Sequence, residues 1–103
     1  MQTHTKKRIE IIIEAPVLNR LVKLLGEQGV RGHTVLPVMQ GSGAAGDWER
    51  QGMIIDAGRM VMVIAIVDPS VAREVLEAVH NLLSRHIGVI SMTDTEVIRD
   101  EHF

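Results

Sequence analysis

Residues 11–25, "IIIEAPVLNRLVKLL", and residues 65–79, "AIVDPSVAREVLEAV", follow the same plan. Each begins as an apolar strand, passes an acid and a proline, and continues with apolar residues at helical spacing. In the first strand, residues 8–14, Ile9, Ile11 and Ile13 share one face and Glu10, Ile12 and Glu14 the other. The helix expected over 16–28 carries a stripe of Val17, Leu18, Leu21, Val22, Leu24 and Leu25. Pro16 stands in its first turn, and Gly26 and Gly29 end it. In the second half, "GRMVMVIAIV" (58–67) is the strongest strand of the chain. Asp68 then reads as an N-cap and Pro69 as the first helical residue, with the helix running to about Ser84.

Outward from these two units, residues 33–40 form a second strand, and a last one runs from about Ile87 to Arg99. The order is βαβ–βαβ. Two such units interleaved predict an α+β domain spanning residues 1–103. It is a ferredoxin-like βαββαβ fold with a four-stranded antiparallel sheet and both helices on one face. The strands that precede the helices should be central. Strand 58–67 is apolar on both sides, with Met60, Met62, Ile64 and Ile66 on one and Val61, Val63, Ala65 and Val67 on the other. Helices cover only one face, so self-association is expected to cover the rest. Val63 and Ala65 are read as open-face positions, where an aspartate should break the assembly.

Composition narrows the function. The only aromatics are Trp48 and Phe103, so the core is aliphatic. A net charge of −2 gives no footprint for nucleic acid. The absence of cysteine excludes disulfides and thiol chemistry and suits a reducing cytoplasm. No apolar run approaches the length of a membrane span, so no insertion into a bilayer is expected and the location is read as cytoplasmic.

The insert from Gly41 to Gly52 is rich in glycine and charge. Long loops in compact domains are uncommon unless functional. The backbone N–H groups of "GSG" (41–43) can turn toward an anion, with Arg50 as a cationic partner. Trp48, stranded in a polar loop, suits a partner surface. The five histidines form no close ligand pair, so no metal site is expected. Ser42 has no histidine–aspartate constellation, and no catalytic residues are assigned. A phosphate-handling enzyme on this fold would need an asparagine near a phosphate loop, and Asn19 and Asn81 both fall on helices.

"KRIEIIIEAP" (7–16), "GVRGHTVLPVMQGSG" (29–43) and "EVIRDEHF" (96–103), in this order, resemble the PII signalling superfamily. The resemblance covers residues 7–103 and implies a homotrimer whose sheets face a common core. Adenine nucleotides would bind between subunits, and the insert would be the T-loop that contacts a target protein. Tyrosine is absent, which excludes tyrosine modification of that loop. "SRHIGVIS" (84–91) replaces the phosphate loop and lysine of nitrogen-regulatory PII sensors of ATP and ADP. The shorter turn is similar to the PII-like branch linked to inorganic carbon, including carboxysome-associated and bicarbonate-transporter-associated proteins.

The resemblance implies ADP or AMP as ligand, with cyclic AMP or ATP as further candidates, and bicarbonate. No tightly held cofactor is implied. Gly32, His33 and Thr34 match the segment along the nucleotide cleft, and Gly41 and Gly43 the base of the T-loop. Arg59 matches a basic position opening strand three. Ile87, Gly88 and Val89 match the remnant of the phosphate loop, and Arg99 the arginine that contacts phosphate. Bicarbonate would be held by Gly41, Ser42, Gly43 and Arg50. Trp48 and Arg50 would meet the target, whether a transporter, a channel or an enzyme. The T-loop is expected to be mobile without ligand.

Overall fold

The computed structural model describes residues 1–43, 46–49 and 59–103; side chains of 43 and 46–49 are outside that description. The chain runs β1 (His4–Glu14), a 3-10 turn (Ala15–Val17), α1 (Leu18–Glu27), β2 (Thr34–Pro37), β3 (Gln40–Gly43) and β4 (Gly46–Glu49). It continues through β5 (Met60–Val67), α2 (Pro69–Leu83) and β6 (Gly88–Val97). The main sheet has the order β2-β5-β1-β6 with antiparallel neighbours. Both helices pack on one face, and the strands that lead into them are central, as the repeated plan predicts.

Alternation in β1 sets the core. Ile9, Ile11 and Ile13 are each 0% exposed and pack with Leu21 and Leu25 of α1 and Val75 and Val79 of α2. α1 ends in a Schellman motif: Gly29, at φ 84, donates to Gly26 O, and Val30 N–H reaches Leu25 O at 3.0 Å. Gly29 is the terminator there, and Gly26 lies inside the helix. α2 starts as expected. Asp68 accepts from the Ser70 N–H at 3.2 Å and from its hydroxyl at 2.6 Å, and Pro69 opens the helix.

The faces of β5 correct one expectation. Val63 and Ala65 lie opposite Ile11 and Ile9 and are buried beneath the helices. The open face carries Met62, Ile64 and Ile66, which are half-buried. A strand apolar on both sides does not reveal which side faces the helices. Its register against β1 decides that. Across the open face, Leu36, Met62, Ile12 and Val89 occupy one row, so an apolar band crosses all four strands.

The second strand is shorter than predicted and stops at Pro37. Beyond it, Gln40–Gly43 pairs with Gly46–Glu49 as a two-stranded ribbon, with Gly41 opposite Trp48. Irregular chain was expected over 41–49, but a backbone ladder needs no alternation of side chains. The expectations for Arg50, for the Trp48 ring and for mobility at 44, 45 and 50–52 lie outside the described residues.

Candidate functional site

A cleft of about 480 Å³ opens beside the edge strand β2. Arg31, Gly32, His33 and Thr34 form one wall, and all four are exposed. Ile64 and Ile66, from the open face of β5, make an apolar floor. The opposite wall is His102 and Phe103. Of these eight residues, the sequence pointed to Gly32, His33 and Thr34 as ligand candidates and not to the other five.

The far wall is brought there by ionic contacts. After β6 the chain turns back, and Asp100 accepts from Lys6 Nζ at 2.6 Å. The same ammonium donates to Asp68 at 2.8 Å. Lys6 is only 4% exposed, so two carboxylates balance a cation largely withdrawn from water. Hydrogen bonds to Asp100 and Asp68 raise the Lys6 pKa, against the opposing effect of burial. Lys6 and Ser70 hold the Asp68 carboxyl down at about 2. Lys6 also lowers Asp100. One residue further, the Glu101 carbonyl accepts from Arg31 Nη1 at 3.2 Å, tying the tail to the β2 wall.

The other sequence-selected residues lie elsewhere. Arg59 lines a second cleft of about 530 Å³ with Pro16, Leu18, Val35, Pro37 and Val61. Gly41 and Gly43 are in the β3–β4 ribbon, with Ser42 between them. Ile87, Gly88 and Val89 are at the start of β6, on the sheet edge opposite β2. Arg99 follows β6 and is exposed. Four strands about 4.8 Å apart put the two edges roughly 14 Å from one another. One chain therefore does not bring the β2-edge group and residues 87–89 to a common phosphate.

The β6 edge has its own supports. Glu14 Oε1 accepts the Ile87 N–H at 2.8 Å, and His86 Nδ1 lies 3.5 Å from the same oxygen. Arg20 reaches the other ring nitrogen of His86 at 3.3 Å. A Cβ at Gly88 would sit 2.8 Å from Ile12 O and 2.9 Å from a Leu83 methyl, so packing alone requires glycine there. Gly32 differs. A Cβ there would meet nothing within 4 Å, and its φ is not left-handed. The chain's own fold does not require a glycine at 32.

The sequence profile described as "Nitrogen regulatory protein P-II" matches residues 6–102. Among solved structures, one similar chain is CPII, a nitrogen regulatory PII-like protein from Thiomonas intermedia K12, bound to ADP, AMP and bicarbonate. It shares 28% identity at a TM-score of 0.87, over 95% of this chain and 92% of that one. CPII bound to ADP and bicarbonate matches at 30% identity and a TM-score of 0.83, over 95% and 93%. Its apo form matches at 25% identity and 0.74, over 93% and 95%. No curated protein sequence matches. Among the described residues, no helix is long and apolar enough to cross a membrane.

Proposed function

The chain belongs to the P-II family, in its PII-like branch, and from that premise we propose a non-enzymatic sensor of adenine nucleotide and bicarbonate. ADP or AMP binds between the subunits of a homotrimer. The T-loop, residues 41–52, carries the state of the site to a target protein of inorganic carbon metabolism. The observation that carries this reading is the division of the candidate ligand residues between the two edges of one sheet. A site closes when the β2 edge of one subunit meets the β6 edge of the next. Ile87–Val89 and Arg99, at opposite ends of the ten-residue β6, reach one nucleotide from different subunits, with Arg99 on the side of Gly32–Thr34. The apolar band through Leu36, Met62, Ile12 and Val89 supplies a surface for such an assembly. Similarity to a chain bound to ADP, AMP and bicarbonate supports the choice of ligands. Bicarbonate sits at the loop base, near Gly41–Gly43 and Arg50.

Calorimetry on a trimer verified by light scattering tests the proposal. ADP and AMP should bind, bicarbonate should tighten them, and ATP should gain little. Arg99→Ala should weaken ADP by roughly 1.5–3 kcal/mol, the range for a hydrogen bond to a charged group. A monomer in solution, or no heat from either nucleotide in bicarbonate, overturns the reading.

A further inference from the structure

We propose that residues 100–103 are a permanent wall of the nucleotide cleft and that the Phe103 ring is the surface on which the adenine base stacks. This inference rests on the function proposed above and specifies its base-recognition end. The cleft offers two kinds of surface. Ile64, Ile66 and Phe103 are apolar and half-buried, while the facing wall is the exposed segment Gly32–Thr34. Among the described residues, Thr34 pairs with Ile64 on one side only, because β2 is an edge strand there, so its outer backbone groups have no strand partner among them. A flat heteroaromatic ring with polar edges matches that combination: its faces take the apolar contacts, and its nitrogens take the backbone groups. Gly32 leaves the mouth clear, since the space a side chain would fill there is empty.

Phe103 is the only phenylalanine in the chain and is not part of the core cluster. Its position is nonetheless prepared. Lys6 clamps Asp100, and Arg31 holds the Glu101 carbonyl, two consecutive anchors just before His102 and Phe103. A ring fixed before the ligand arrives loses less freedom on binding. The tail thus acts as a preset stacking surface, and Lys6 acts on the base through it.

Titration of ADP and UDP into the trimer tests this with Phe103→Ala, Phe103→Tyr and Asp100→Asn. Phe103→Ala should lose about tenfold or more in ADP affinity, the scale of a lost base–aromatic stack. UDP, with its smaller ring, should lose less, so the ADP-to-UDP ratio falls. Phe103→Tyr should keep both affinities. Asp100→Asn, whose parent carboxylate is well exposed and leaves the Lys6–Asp68 pair in place, should lose severalfold with no change in assembly. Unchanged ADP affinity in Phe103→Ala overturns the inference while leaving the sensor reading intact. A Phe103→Ala chain that loses ADP because it no longer forms trimers makes the ring an assembly element and also overturns it. Absence of ADP binding to the unmodified protein overturns the sensor reading itself.

Discussion

The two strand-to-helix junctions look alike in sequence and behave differently in space. At the second, Asp68 caps its own helix through Ser70, and α2 begins at once with Pro69. At the first, Glu14 makes no cap bond, and the chain passes through a 3-10 turn before α1 begins at Leu18. The carboxylate of Glu14 instead accepts the N–H of Ile87, its neighbour across the β1–β6 ladder, where Ile13 pairs with Gly88. Two small differences explain this. Ala15 separates Glu14 from Pro16, whereas Asp68 is directly followed by Pro69. Glutamate is also one methylene longer, which suits reach more than local capping. Each acid ends up tying elements distant in sequence: Glu14 joins β1 to the α2–β6 turn, and Asp68 joins α2 to Lys6 of β1. Similar local sequence can thus serve one helix in one half and the other half of the fold in the other.

The largest test concerns what the halves share. Ile11 and Val63 face each other across the β1–β5 ladder, and both are fully buried. Aspartate at either should cost about 3–5 kcal/mol or more, against a total stability of roughly 5–15 kcal/mol for a domain. Circular dichroism should show both variants unfolded or nearly so. Aspartate at Met62, one residue away on the open face, should leave a folded chain that no longer assembles. If Val63→Asp folds normally while Met62→Asp does not, the assignment of faces is wrong.

The next test breaks the junctions apart. Asp68→Ala removes a helix cap and one of the two partners of Lys6, so its melting temperature should drop by several degrees. Glu14→Ala should lower it less. Its signature should be faster hydrogen exchange at the Ile87 amide, which Glu14 now protects. Equal thermal losses, with Ile87 still protected, would mean that the two acids are equivalent after all.

The smallest effect is in acid. Asp68 is held at about 2, below its ordinary 3.8, chiefly by Lys6 and then by Ser70. A depressed carboxyl contributes stability that is complete above the ordinary value and is lost as pH falls toward 2. Denaturant melts between pH 5 and 2 should therefore fall less steeply for Asp68→Asn than for the parent. The Lys6 pKa is raised, so its contribution is complete below 10.5 and fades only at higher, alkaline pH. Parallel acid limbs would remove Asp68 from this account.

Much of the fold was legible because its signals are local. Alternation in β1, the apolar stripe of α1 and the Asp68–Pro69 start each lie within a dozen residues. The faces of β5 were not legible, since Val63 and Ile64 are equally apolar and only pairing with β1 distinguishes them. Of the candidate site, Gly32, His33 and Thr34 were named from family resemblance, and they line a cleft beside β2. Arg31, His102 and Phe103 were not named because Arg31 and the tail lie 70 residues apart in sequence and meet only in the fold. Lys6 had a faint signal: it occupies an open-face position in a strand whose other face is isoleucine. Its two aspartates, at 68 and 100, are too distant in sequence to be read with it.

The central position of β1 bears on how the chain is made. This strand is synthesised early, yet both its hydrogen-bonding edges belong to partners from the second half, β5 on one side and β6 on the other. On the ribosome it emerges with its isoleucines exposed and no ladder to join. Its last pairing, His4 with Val97, completes only when residue 97 is out of the tunnel. The two halves, so similar on paper, are therefore not separable folding units. A nascent chain stalled after α1 would present an unpaired, isoleucine-rich strand of the kind that chaperones hold and that aggregates readily.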